Sequence, residues 1–155
     1  MLEKLISAFK RDKKEVPEKK DPVRDWCRKY ISLLEQVEAD PAVKNWCRRE
    51  YSAYQATAPE WREWERKLYD IMHGAYEAGV VSPEYREILE RNHISFQQAE
   101  QAEKEFLSSL TLEGLRGVLA IIIRADYGSN GYFISRTVGE GRLLRAVRVY
   151  LDKTE

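Results

Sequence analysis

The chain has 155 residues, 43% of them apolar and 34% charged, which suits one domain with a substantial core under a heavily ionised surface. Lys plus Arg equals Asp plus Glu at 26 each, so net charge selects neither for nor against a nucleic-acid partner. No run approaches the roughly 18 apolar residues of a membrane span, residues 2–9 are too short and polar for a secretory leader, and Cys27 and Cys47 make no disulfide framework, so a cytoplasmic, reducing location is expected.

Charge is unevenly spread. Residues 1–59 carry 13 basic and 10 acidic side chains, residues 60–107 carry 6 and 11, and the remainder 7 and 5. An acidic middle flanked by basic ends can steer a partner.

Residues 1–14 place Leu2, Leu5, Ile6 and Phe9 at i, i+3, i+4 and i+7, a single apolar stripe on a short amphipathic helix. The polar stretch KRDKKEVPEKKD follows, and a linker is expected over residues 15–21. The tethered helix has three uses: docking back on the domain, entering a partner's groove, or lying on a membrane surface. A single helical domain is expected over residues 22–155.

Asp21 then Pro22 is a helix start, an N-cap followed by proline in the first turn. Asp40 then Pro41 repeats it. VRDWCRK at 23–29 echoes VKNWCRR at 43–49, which suggests two antiparallel helices with similar packing faces. Two copies are too few for a solenoid. Cys27, Cys47, His73 and His93 have the composition of a zinc set, but no two stand within a few residues of each other, so no metal site is expected.

Residues 57–60 open a long helix carrying Trp61, Trp64, Leu68, Ile71, Met72 and Ala75 and ending near Gly79. The Trp residues are assigned to the core, and exposure of two of them would point to a binding surface. Ser82 and Pro83 start a short helix. Ser95 caps the next, with Phe96, Ala99, Ala102, Phe106 and Leu107 inward and Glu100, Glu103 and Glu105 to solvent.

Thr111 caps the helix around which the rest is organised. From Val118 to Ile123 every residue is apolar, so this element is buried on all sides. The segment 132–138, YFISRTV, is rich in β-formers, and a hairpin over 121–138 is the alternative to a short helix ended by Gly139 or Gly141. The last helix puts Leu143, Leu144, Val147, Tyr150 and Leu151 on one face and Arg142, Arg145 and Arg148 outside it. The fold expected is all-α, a compact bundle of about six or seven helices, with α+β as the alternative.

The segment LAIIIRADYGSNG, the closing GRLLR at 141–145 and LYDIMHGAYEAGVVSPEY at 68–85 resemble a family of uncharacterised bacterial and phage domains. That family has an apolar run entering Arg-x-Glu-Arg-aromatic-Cys-x-Gly, then a Leu-rich closing helix. Arg124, Asp126 and Gly131 match; Tyr127, Gly128 and Ser129 replace the second Arg, the aromatic and the Cys. The likeness spans about residues 65–151 and implies a mainly helical fold and no activity.

Catalytic signatures are absent, and no cofactor is expected. The expected function is a non-enzymatic protein-interaction or accessory domain, a regulator or inhibitor of phage or mobile-element type, with another protein as partner and a homodimer as an option. Two alternatives stand beside it. One is a pocket for an anion or small molecule at the end of the central helix, built from Arg124, Asp126, Tyr127 and Asn130, with Arg124 as a bidentate donor. The other is nucleic-acid binding through Arg136, Arg142, Arg145 and Arg148, which lie among aromatic residues.

Overall fold

Asp21 has extended backbone, and its Oδ1 accepts the N–H groups of Val23 and Arg24 at 3.0 and 3.1 Å. The first helix, α1 (Pro22–Ala39), starts there because a carboxylate meets otherwise orphaned donors and Pro22 has no N–H to satisfy. Asp40 closes α1 and by the same chemistry caps α2 (Pro41–Asn45). The computed structural model describes residues 20–124 and 130–155. The helix expected over residues 1–14 and the linker up to residue 19 lie outside the described residues.

After α2 the chain continues as a wider π-helical segment, Trp46–Glu50. An irregular stretch and a 3₁₀ turn, Pro59–Trp61, lead into α3 (Arg62–Glu77), which stops before Gly79 in its left-handed conformation, φ 74°. Then come α4 (Tyr85–Arg91), α5 (Phe96–Gln101), α6 (Lys104–Ser108) and α7 (Leu112–Ile123). The short α8 (Asn130–Tyr132) runs into a second π-helical segment, Phe133–Val138, and α9 (Arg142–Thr154) closes the described chain.

The fold is all-α: among the described residues there is no strand, and the 121–138 hairpin does not form. Ile121, Ile122 and Ile123 end α7, and Phe133, Ile134, Thr137 and Val138 are buried at helical spacing. Burial of that helical face against the rest of the fold outweighs the β-preference of these residues. Thr137 supports the arrangement by donating its hydroxyl to the Ile122 carbonyl at 2.5 Å, one of the carbonyls that the end of α7 leaves open.

The central helix is α7, buried continuously from Gly117 to Ile123. It packs against α4, α5 and α9, and α9 also packs along α1. Gly117 lets α4 come close: a Cβ there would sit 2.8 Å from Ile88 Cγ2. In the echoed WCR segments Trp26 and Trp46 are each 4% exposed and both cysteines fully buried, but the second copy lies in the π-helical segment rather than in a second long helix like α1. No helix among the described residues is long and apolar enough to cross a membrane.

The single helix expected from Ser95 to Leu107 is two. Ala102 takes the left-handed conformation, φ 46°, and breaks it. Phe96 is half-exposed rather than core. Glu100 is partly buried, not solvated, and accepts the Tyr132 hydroxyl at 2.9 Å. The reason lies in α9: its arginines need the carbonyls that this break exposes.

Candidate binding site

Arg142 was expected on the solvated side of α9 and is 6% exposed. Its Nη1 donates to the Glu100 carbonyl at 2.9 Å, and its Nη2 lies 3.2 Å from a Glu140 carboxylate oxygen. Arg145 donates three ways: Nε to the Ala102 carbonyl, Nη1 to the Glu140 carbonyl and Nη2 to the Gln101 carbonyl, at 2.9, 3.0 and 3.0 Å. These guanidiniums cap the end of α5, where a cation suits the helix dipole. Arg136 and Arg148 are exposed and lie 3.9 Å from Glu140 and 3.4 Å from Glu35. The four arginines therefore divide into two that hold the fold and two on the surface.

Arg124 ends α7 in extended conformation, and its guanidinium lies 4.3 Å from the centroid of the buried Tyr85 ring. Asp126, Tyr127 and the Asn130 side chain lie outside the described residues.

The structure gathers a different set. In the Trp46–Glu50 segment the Tyr51 N–H reaches the Trp46 carbonyl, five residues back, at 2.9 Å. On an α-helix, residues five apart point about 140° from each other. The wider turn instead stacks the two rings, with centroids 5.5 Å apart and planes at 14°. Trp61, at the end of the 3₁₀ turn, stacks on Trp46 as well, at 5.2 Å and 10°. Tyr69 meets Tyr51 edge-on at 6.5 Å, and their hydroxyls share a hydrogen bond.

Residues 51–58 pass beside this stack without regular structure. Ser52 turns the strand of chain by accepting the Tyr54 N–H at 3.2 Å, and Thr57 anchors it by donating to Glu65 at 2.5 Å. Arg62 Nε reaches the Thr57 carbonyl at 3.5 Å. The result is a hollow of about 230 Å³ lined by Trp46, Tyr51 and Trp61 together with Glu50 and small or polar residues of the loop. Tyr54, at the loop's tip, is 89% exposed.

Burial above all, then the Tyr69 hydroxyl and the Glu65 carboxylate, hold the Tyr51 phenol well above its ordinary range, so it stays a neutral donor at any physiological pH. Burial also pushes both cysteine thiols up to about 12, which leaves no thiolate nucleophile. Among the described residues no three His, Cys, Asp or Glu side chains are grouped to hold a metal ion.

The sequence assigned Trp46 and Trp61 to the core without linking them to residues 50–58. The signal was present in the spacing of Trp46 and Tyr51, whose neighbourhood depends on a turn that only tertiary packing selects. Fold and site together define a small helical domain with an aromatic hollow at its surface. No family model, curated protein or solved structure matches the chain.

Proposed function

We propose that this chain is a non-enzymatic protein-binding module of the cytoplasm that engages its partner through the hollow between residues 46 and 61. The observation that carries this reading is the hollow itself: stacked aromatic rings, two of them half-buried, beside a loop that holds Tyr54 almost wholly in solvent. Aromatic side chains at a rigid, partly open surface are the groups on which interface energy concentrates. The free, buried thiols suit a reducing compartment. A regulator or inhibitor carried on a mobile element is the particular role we propose within that reading.

The test places a photo-crosslinking benzoylphenylalanine at position 54 in the cells the protein comes from. One discrete protein adduct is expected, and it should disappear when Trp61→Ala is added. An adduct at twice the chain's 18.2 kDa mass identifies a second copy as the partner. No adduct, or one indifferent to Trp61, overturns the reading.

A further inference from the structure

Resting on the protein-binding reading above, we infer that the hollow receives a cationic side chain of the partner, an arginine, laid against the Tyr51 and Trp61 rings and paired with Glu50. Charge points there first. Among the described residues that line the hollow, Glu50 carries the only charge. Its Oε1 accepts from the neutral Asn45 amide at 3.4 Å. Just behind the loop, Glu65 accepts from the hydroxyl of Thr57 and lies beside that of Tyr51, again neutral donors. Hydroxyls and amides orient a carboxylate without cancelling its charge, so two negative charges stand at an aromatic surface with no guanidinium or ammonium of the described residues in ion-pair contact with either. Residues 50–65 carry Glu50, Glu60, Glu63 and Glu65 against Arg62 alone.

Aromatic faces point the same way. The ring quadrupole attracts a cation, and a partly desolvated site strengthens the attraction. A guanidinium fits better than an ammonium because it is flat enough to lie on a ring while its edge forms two hydrogen bonds to a carboxylate. The hollow, at about 230 Å³, admits a side chain and excludes a helix. Its walls are already fixed: Trp46 is buried, and Tyr51 is held by Tyr69. Little side-chain freedom is then lost on binding. Arg62, whose Nε touches the Thr57 carbonyl, is the chain's own competing cation.

The experiment follows the indole N–H signals of ¹⁵N-labelled protein. The probes are blocked Gly-Arg-Gly, blocked Gly-Lys-Gly and blocked Gly-citrulline-Gly, the last having the arginine shape without its charge. The arginine peptide should move the Trp61 and Trp46 signals and leave Trp26 still, since that indole is locked on the Ile71 carbonyl at 3.1 Å. Citrulline should bind at least about tenfold more weakly, with lysine between. E50Q, which keeps the shape and the Asn45 contact, should weaken arginine about threefold and leave citrulline unchanged. R62Q should tighten it. Raising salt from about 0.02 to about 0.5 M should weaken arginine binding only. Equal binding of arginine and citrulline, or an arginine affinity indifferent to E50Q, overturns the inference. If the peptide fails while the crosslink from position 54 still depends on Trp61, the protein-binding reading stands and the cation falls; if both fail, both fall.

Discussion

Asp21 joins a helix start to the far end of the chain, and replacing it separates two contributions of known size. The carboxylate caps α1 through Oδ1, while Oδ2 accepts the Tyr150 hydroxyl at 2.6 Å and lies 3.4 Å from Arg116 Nη2. Arg116 Nε in turn donates to the Tyr150 oxygen at 3.0 Å. An N-cap is worth about 1 kcal/mol, and a hydrogen bond to a charged, buried acceptor about 2 kcal/mol. Asp21→Ala should therefore cost about 3 kcal/mol, or about 10 °C in Tm for a domain of this size. Asp21→Asn keeps a good cap and should cost only the charged part, about 2 kcal/mol.

The pH dependence has a definite sign. Burial opposes ionisation of Asp21, but the Tyr150 hydroxyl, the Arg24 and Val23 amides and the Arg116 charge together outweigh it and lower the pKa. A carboxylate with a lowered folded pKa contributes fully above its unfolded value of about 4 and loses that contribution as pH falls through the folded value. The gap between the native chain and D21N should be full at pH 7 and close below about pH 4. Urea unfolding followed by Trp fluorescence and far-UV circular dichroism, at several pH values, measures it. Equal stability at pH 7, or a gap that persists in acid, would refute the reasoning.

Gly139→Ala should destabilise by about 2 kcal/mol through overpacking: the residue has ordinary helical backbone, but its Cβ would stand 2.5 Å from the Ser135 carbonyl oxygen and 3.1 Å from the Arg48 amide nitrogen. A normal unfolding midpoint in urea would contradict that. Cys27 and Cys47 should resist a thiol reagent in the native chain and react on unfolding, because both are fully buried. Their pKa values, and those of Tyr132 and Tyr150, are raised to about 12, burial being the largest cause. Stability from groups with raised pKa is complete below the unfolded values of about 9 to 10 and is lost as pH rises toward 12, so the urea midpoint should fall between pH 9 and 12 in one cooperative trend; a flat profile would count against it. Arg145→Ala should cost about 2 kcal/mol by leaving three carbonyls without their donor, whereas Arg148→Ala should change stability by less than about 0.5 kcal/mol, as an exposed pair does. A charge reversal across Arg142, Arg145 and Arg148 would thus report folding. Arg136→Glu with Arg148→Glu, scored by gel shift at low salt, tests nucleic-acid binding cleanly.

Local chemistry made much of the fold legible. Asp21, Asp40, Ser95 and Thr111 cap helices where the sequence places them, because a cap needs only its own next three residues. The apolar run 118–123 is buried on every side because no other placement would cover it. What was not legible depends on distant partners. Arg142 enters the core only because Ala102 turns left-handed and frees the carbonyls of residues 100–102. The YFISRTV segment is helical because Phe133, Ile134, Thr137 and Val138 find burial at helical spacing against distant elements, with Thr137 tied to an α7 carbonyl. The candidate site suffered most: its aromatic walls meet through a five-residue turn that no periodicity of 3.6 anticipates.

One short piece of chain explains how a molecule with no net charge acquires polarity. In the segment from Lys44 to Glu50, Lys44 and Arg48 border a cleft shared with Arg142, Arg145, Glu103 and Glu140, while Trp46 and Glu50 border the hollow. On the first side Arg145 binds backbone carbonyls, which are neutral, so its positive charge survives, whereas Arg142 also meets the Glu140 carboxylate and Lys44 that of Glu38. On the second side the carboxylates bind amides and hydroxyls, so their negative charge survives. Hydrogen bonds to neutral partners fix each ion in place without quenching its field, unlike the exposed pairs such as Arg28 with Glu155. A partner approaching residues 46–61 therefore meets an acidic aromatic hollow one turn of chain away from a cleft of mixed charge, and the uncompensated carboxylates at the hollow set the sign of the group it must present there.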